Sequence, residues 1–470
     1  MIQSLNPYLA LHTLKQGGYG NPAMNHATFN SGKPCLTVLI LLFLLVPVFI
    51  FSQGFGFGDA ADPESRETTA SVSGEVAANL TGFFNDFNPS KLIDNNKPED
   101  IFEGKFNFSI SGRFADWSVN LKFCLEPSPI VIDEAFVRFY LGSVDLEAGV
   151  RKLTWGRADS FGPLDVINPI DYSDLTALGN PRNIKIARPM LHVSWNINTF
   201  SKLEGVFIPW FAGHEYAMEG RWAPVQITAL GSSLFDIKDY YKNSNETLNY
   251  GQGGLRFTTT IGETDVGAQY YFGRFPRPAY SIDLRDFLIS YNPDDIQILV
   301  MNNYYHHIGV DYARVIAGFN IRAEAGVNIT GDLKGDDGAV YNPQVVWSLG
   351  FDRDLLWGIN LNLQGNGLVR LMYDKIGTNS LMDTEAGANR SSTRITAILS
   401  RQFFQDELTL KTTALWGIED SDFYIIPAIV WSKNDITAEL SVGLFGGDKA
   451  GELGQYRDNC YVKTVVSYSF

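Results

Sequence analysis

From residue 102 to residue 114 the chain alternates without a break. Phe102, Gly104, Phe106, Phe108, Ile110, Gly112 and Phe114 are apolar or glycine, while Glu103, Lys105, Asn107, Ser109, Ser111 and Arg113 between them are polar. After Ala115-Asp116 the alternation restarts. Trp117, Val119, Leu121, Phe123 and Leu125 share one face, and Ser118, Asn120, Lys122 and Cys124 share the other. A strand sends successive side chains to opposite faces, so this pattern predicts a β-hairpin with one apolar and one wet face. Soluble strands usually run to about 5–6 residues. Strands that cross a bilayer need about 9–11, which is the length found here. Bulky Phe and Trp on the apolar face fit lipid on that side and water on the other.

The same period recurs along the chain. Besides the hairpin, it predicts strands near 70–84, 131–141, 144–153, 189–197, 201–210, 250–261, 265–274, 304–314, 318–330, 344–352, 358–373, 391–404, 407–417, 422–431, 435–445 and 459–470. Short turns alternate with long, polar or Gly/Pro-rich connections. The fold expected is therefore all-β: a transmembrane antiparallel β-barrel of about 18 strands (16–18), with short periplasmic turns and long extracellular loops. An even strand count places both ends of the barrel on the periplasmic side. Closure is required, because in lipid every backbone group must pair within the protein.

The N-terminal region has a different character. The run LTVLILLFLLVPVFIF at 36–51 follows Lys33, is broken by Pro47 and closes at Ser52. It falls short of the roughly 18 residues of a spanning helix and reads as a secretory signal peptide cut near Ser52-Gln53. The expected organisation is a signal peptide over 1–52, a periplasmic lead-in over 53–69 and an outer-membrane barrel over 70–470. A start at Met24 would give an ordinary leader, which makes 1–23 a start-site artefact.

Charge narrows the partners. With 37 basic and 52 acidic residues the net charge is −15, which excludes nucleic acid and leaves membrane lipid and small solutes. The 32 Phe, 21 Tyr and 9 Trp suit aromatic girdles at the two lipid–water interfaces. The three cysteines have no metal spacing and no CxxC. Cys124 and Cys460 read as unpaired thiols, with a disulfide between them left open. Alternation assigns Glu75, Glu103, Lys105, Arg113, Lys122, Glu134, Arg138, Glu147, Arg151, Arg322, Glu324 and Glu439 to the lumen. Mixed charges facing each other across a pore set up a transverse field that selects solutes. Among the histidines, His192 is assigned inward, His306-His307 opens a strand and His214 falls in a loop. No GxSxG, HExxH, Walker or dinucleotide motif accompanies them, so neither an enzyme nor a cofactor nor a metal is expected.

One connection is distinctive. It reads Trp155-Gly156-Arg157-Ala158-Asp159 and, further on, Leu164-Asp165-Val166-Ile167-Asn168-Pro169-Ile170-Asp171. This WGxxD…DxxNPxD stretch resembles a family of bacterial outer-membrane β-barrel proteins of poorly defined function. The segments 431–435 (WSKND) and 443–447 (GLFGG) are similar to the same family. The final strand ends in Phe470, like the C-terminal signature of outer-membrane proteins, which implies the barrel-assembly machinery as a partner. The resemblance implies a barrel in the outer membrane of a diderm bacterium and leaves the substrate undefined.

Physically, Gly162-Pro163 and Asn168-Pro169 punctuate a loop carrying Asp159, Asp165 and Asp171. Such a loop folds into the lumen as a constriction, with Trp155, Arg157, Asp159, Asp165, Asn168, Pro169 and Asp171 as its residues, or it stays outside with its Asp side chains capping turns. The three Asp residues do not have EF-hand spacing. The function expected is a porin-like channel for passive or facilitated diffusion of small solutes. The alternatives are a surface adhesin, using a loop over 211–249 with Trp222, Tyr240 and Tyr241, or an uptake channel for apolar solutes.

Overall fold

The computed structural model describes residues 68–86, 101–124, 130–179, 183–225, 244–245, 248–283, 285–292, 297–378 and 383–470. The leader over 1–52, most of the lead-in over 53–69, and Tyr240 and Tyr241 lie outside these residues.

Eighteen strands among the described residues form one sheet. The first nine are β1 (Thr69–Phe83), β2 (Phe102–Ser111), β3 (Ala115–Cys124), β4 (Val131–Leu141), β5 (Val144–Arg151), β6 (Arg188–Asn196), β7 (Ser201–Ile208), β8 (Gln252–Ile261) and β9 (Thr264–Arg274). The second nine are β10 (Tyr304–Ile316), β11 (Phe319–Thr330), β12 (Gln344–Asp354), β13 (Ile359–Arg370), β14 (Ser391–Phe403), β15 (Leu408–Gly417), β16 (Asp422–Lys433), β17 (Ile436–Gly447) and β18 (Tyr461–Ser469). Each pairs antiparallel with the next, and β18 returns to β1 with Glu75 opposite Ser469 and Phe83 opposite Tyr461. That last pairing closes the barrel. Phe470 completes the seam: its N–H and carbonyl each bond to Gly74 at 2.9 Å.

Exposure along the strands is inverted relative to a soluble protein. In β10, His307 and Asp311 are 0% and 4% exposed, while Ile308 and Val310 between them are 52% and 55% exposed. Val72, Val76, Leu255, Leu349, Leu399, Leu440 and Val466 continue this apolar outer face around the wall. An exposed apolar surface of that extent needs a partner, and for a closed barrel the partner is the hydrocarbon of a bilayer. Among the described residues no helix is long and apolar enough to cross a membrane. The strands cross it.

Short turns join β2 to β3, β4 to β5 and every later even-to-odd pair, while long connections lie at the other end of the barrel. Two local departures from strict alternation matter. β2 ends at Ser111 rather than continuing to residue 114, because the chain must turn: the Gly112 N–H bonds to the Ala115 carbonyl at 3.0 Å. Between β3 and β4 the register slips at Asn120/Leu121. A slip of one residue exchanges faces, and it brings Asp133 to the lumenal Lys122 at 3.1 Å. The apolar packing sits inside the barrel, in two clusters where loops meet the inner wall.

Candidate functional site

The connection from β5 to β6, residues 152–187, turns inward. Asn168 fastens its base: Oδ1 accepts the Leu153 N–H at 2.8 Å, and Nδ2 donates to the Arg151 carbonyl at 3.0 Å and the Ile186 carbonyl at 2.9 Å. Pro169 adds its carbonyl, which accepts the Ile186 N–H at 2.8 Å. Trp155 then lies flat on the wall, 2% exposed among Met190, Val206, Tyr271 and Tyr305. The wall makes room for it with Gly254, where an added Cβ would fall 2.9 Å from the indole ring. Gly156 has φ +93 and faces the Glu324 carboxylate so closely that any side chain would collide with it. Both halves of the Trp-Gly pair are thus explained by docking.

Beyond Gly156 the loop is held by charge. The β11 residue Glu324 accepts backbone N–H groups from Arg157, from Ala158 at 2.8 Å and from Leu164 at 3.4 Å. Arg157 pairs with Asp311 of β10 at 2.6 Å and Asp265 of β9 at 3.2 Å, and Asp311 is also paired with Arg256 at 2.7 Å. Asp159 binds Arg322 and accepts from Asn362 of β13 at 2.7 Å. Gln364 of β13 accepts the Asp159 N–H at 2.9 Å and donates to the Phe161 carbonyl at 3.2 Å. Gln269 of β9 donates to the Leu164 carbonyl at 2.8 Å.

The return half is held by apolar contact. Leu175, Leu178 and Ile184 pack with Leu415, Tyr424, Ile426, Phe445 and Tyr461, all facing inward from β15 to β18. Polar anchors are few here. The Tyr424 hydroxyl donates to the Leu175 carbonyl at 3.3 Å, and Lys463 donates to the Thr176 hydroxyl at 2.9 Å. From its base at β5, one loop therefore reaches β9–β13 and β15–β18.

The long connection between β7 and β8 braces it from above. Trp222 meets Phe83, Phe445, Tyr456 and Tyr461. His214 Nδ1 accepts the Ile170 N–H at 2.9 Å, and the Glu215 N–H donates to the Ile170 carbonyl at 3.0 Å. Crowded by Tyr172 and Tyr216, with Arg277 adding repulsion, the His214 imidazole is pushed down to about 3 and stays neutral. Neutrality is what lets its Nδ1 accept a bond. Nearby, Arg394 holds the Glu452 carboxyl below its ordinary value across a 3.0 Å pair.

The other lumen-assigned residues fall in separate places. Lys105 reaches Glu75 at 3.6 Å and Glu103 at 3.9 Å. Glu134 accepts the Lys152 N–H at 2.9 Å and faces Asn120. Glu147 gathers Arg138 at 2.5 Å, Arg151, and His192 at 2.7 Å. Glu439 stands opposite Val430 and Val465. Arg113 is not on a wall strand at all; it lies in the turn after β2, 5.2 Å over the Phe114 ring. Of the three loop carboxylates, Asp165 pairs with Lys185, while Asp171 accepts the Ser173 N–H at 2.8 Å and caps its own turn. They do not converge. His307 bonds Asn328 at 2.8 Å within the wall, and Cys460 is a free thiol.

Between the two docked halves of the loop a cavity of about 230 Å³ remains. The loop gives it Asp159, Ser160, Phe161, Leu178 and Gly179; the wall gives it Thr396 and Ile398 of β14 and Lys411, Thr413 and Leu415 of β15.

A closed barrel that is apolar outside, charged inside and crossed by an inward loop is a bacterial outer-membrane β-barrel of porin-like build. Its apolar outer wall places it in a bilayer. No family model matches the chain, and no curated protein matches it. Solved structures similar to it are barrels of this kind. A BenF-like porin from Pseudomonas fluorescens Pf-5 is 9% identical with a TM-score of 0.48, over 86% of this chain and 98% of that one. Acinetobacter baumannii OccAB4 is 8% identical with a TM-score of 0.47, over 87% and 99%. Wzi, described as a carbohydrate-binding outer-membrane β-barrel of Escherichia coli capsule assembly, is 11% identical with a TM-score of 0.44, over 84% of each chain. These likenesses concern fold alone.

Of the residues that receive the loop, Glu324 and Arg322 are among those the alternation assigns to the lumen, and Asp265, Asp311 and Gln364 are not. Asp265, Asp311 and Gln364 sit at inward positions and only needed the alternation to be carried through β9, β10 and β13. The apolar cradle had a different signal. In β16 the run FYIIPAIVW is apolar on both faces. A strand that abandons alternation is apolar-covered on both sides, here by lipid and by the loop.

Proposed function

We propose that this chain is a channel that passes small solutes by passive or facilitated diffusion, with the loop over 155–171 as its constriction. One observation carries the reading: the loop docks on two separated stretches of the inner wall, with a cavity of about 230 Å³ between loop and wall beside β14 and β15. A barrel of this strand number otherwise leaves an open aqueous channel. The wall charges around Lys105, Lys122, Glu134 and Glu147 line the route, and Arg322 holds the narrowing itself through Asp159. We read 1–52 as the export leader, and Phe470 as the residue that presents the last strand to the assembly machinery.

Single-channel recording in planar bilayers tests this. Refolded protein gives discrete steps, and deletion of 157–171 raises the unitary conductance severalfold. A deletion variant that still inserts but conducts like the wild type overturns the constriction. A wild-type barrel that never conducts overturns the channel.

A further inference from the structure

Two features of the space beside the loop point to a kind of solute. The first is Lys411. Nearly every other lumenal charge near the loop has a partner: Asp159 has Arg322 and Asn362, Arg157 has Asp311 and Asp265, and Arg394 has Glu452. Lys411 has no ion-pair or hydrogen-bond partner among the described residues, although it lines the cavity directly. The one carboxylate that shares the lining, Asp159, is tied to Arg322, which also pairs with Asp352 at 2.6 Å, and to Asn362, so it is held away from Lys411. Lys411 is half-buried at the edge of this space, and a cation without a counter-charge there attracts a passing anion.

The second feature is the lining around it. Ser400 stands opposite Lys411 in register, and Thr413 and Thr396 carry hydroxyls on the same face. Leu415 continues the same face of β15, and Phe161 and Leu178 come from the loop. The lining thus offers a cation and hydroxyls together with apolar surface. At about 230 Å³ the space is smaller than the roughly 300–1,000 Å³ of sites for drug-sized ligands.

We propose that this space is a subsite for small organic monoanions, with the acid group on Lys411 and the threonine hydroxyls and the hydrocarbon part against Phe161, Leu178 and Leu415. The assignment rests on the channel reading above and names its solute class. Lys411 acts as the charge that selects; the apolar side sets the preference for a hydrocarbon tail over a bare ion.

The test uses the full-length refolded barrel in planar bilayers, with hexanoate as the probe and acetate and hexylammonium as controls. Millimolar hexanoate reduces the open-channel current of the wild type, acetate at the same concentration does so much less, and hexylammonium does not. Lys411→Gln still opens in discrete steps and loses the hexanoate block. Lys411→Glu shifts the reversal potential in a KCl gradient toward the cation value, a severalfold change in the anion-to-cation permeability ratio. Variants that open normally but keep both the block and the reversal potential overturn this subsite and leave the channel standing. Equal block by hexanoate and acetate removes the apolar half of the assignment. Absence of any conductance in the wild type overturns both readings.

Discussion

The inward loop meets the wall at two seams built on different physics. Along β9–β13, residues 157–164 are fixed by directional bonds: three backbone donors on Glu324, an arginine shared between Asp311 and Asp265, and an aspartate on Arg322. Along β15–β18, Leu175, Leu178 and Ile184 are fixed by aliphatic and aromatic contact, with the Leu175 carbonyl and the Thr176 hydroxyl as polar anchors. A directional seam sets position to within a hydrogen-bond length, because each donor tolerates little misalignment. An apolar seam is non-directional and permits small slides at little cost. The cavity takes Asp159, Ser160 and Phe161 from one seam and Leu178 and Gly179 from the other. Its near edge is set by directional bonds and its far edge by apolar contact.

The most severe way to break this comparison is Glu324→Ala. It orphans three loop donors at once, at about 1–3 kcal/mol for each group left unsatisfied. The loop tip leaves the wall, and bilayer recordings show larger, noisier openings. Glu324→Gln keeps one acceptor oxygen in place and recovers part of the wild-type behaviour. If Glu324→Ala channels match the wild type in step size and noise, the polar seam is not what holds the tip.

Leu175→Ala attacks the other seam and has the smaller effect. Truncating a buried leucine costs about 2–5 kcal/mol in a closed core, and water in the lumen can fill part of the space left here. The expected outcome is a modest rise in conductance with unchanged reversal potential, since no charge has moved. Because the seam is non-directional, Leu175→Met restores it. A response to Leu175→Ala larger than to Glu324→Ala inverts the ranking of the two seams.

How much of this was legible in the sequence follows the same division. Alternation and turn punctuation located all eighteen strands, since a lipid face and a water face leave a period of two in nearly every one; β16, apolar on both faces, is the exception. It also placed Glu324 and Arg322 inward. The Trp155–Asp171 stretch stood out through its Gly and Pro punctuation. What alternation does not encode is partner choice: nothing in the spacing of Arg157 says that it meets Asp311, which lies far along the chain and is brought near only by barrel closure. The register slip at Asn120/Leu121 moved Asp133 inward, and the turn at Gly112 removed Arg113 from the wall. Those are one-residue events below the reach of a periodic pattern. The apolar seam was hidden for another reason. A lumen is expected to be wet, and nothing in the period marks inward Leu415, Tyr424 and Phe445 as residues that a loop covers.

The gentlest probe is pH, and it acts where the two long loops meet above the seams. His214 is held neutral, its value lowered from the ordinary 6.5 to about 3, and its Nδ1 accepts the Ile170 N–H at 2.9 Å. A group depressed on docking favours the docked state fully above its free value, and that contribution fades as pH falls below about 6.5 toward 3. Protonation turns the acceptor into a donor aimed at another donor. The neighbouring bond from Glu215 to the Ile170 carbonyl survives, so the tie weakens rather than breaks. Open-channel noise therefore rises as pH is lowered from 7 to 4, with little change in mean conductance. His214→Asn supplies a carbonyl acceptor that does not titrate in this range, and it flattens the response. A wild-type channel whose noise is constant over that interval, or a His214→Asn channel with an undiminished pH response, separates the imidazole from the tie and places the acid sensitivity elsewhere in the mouth.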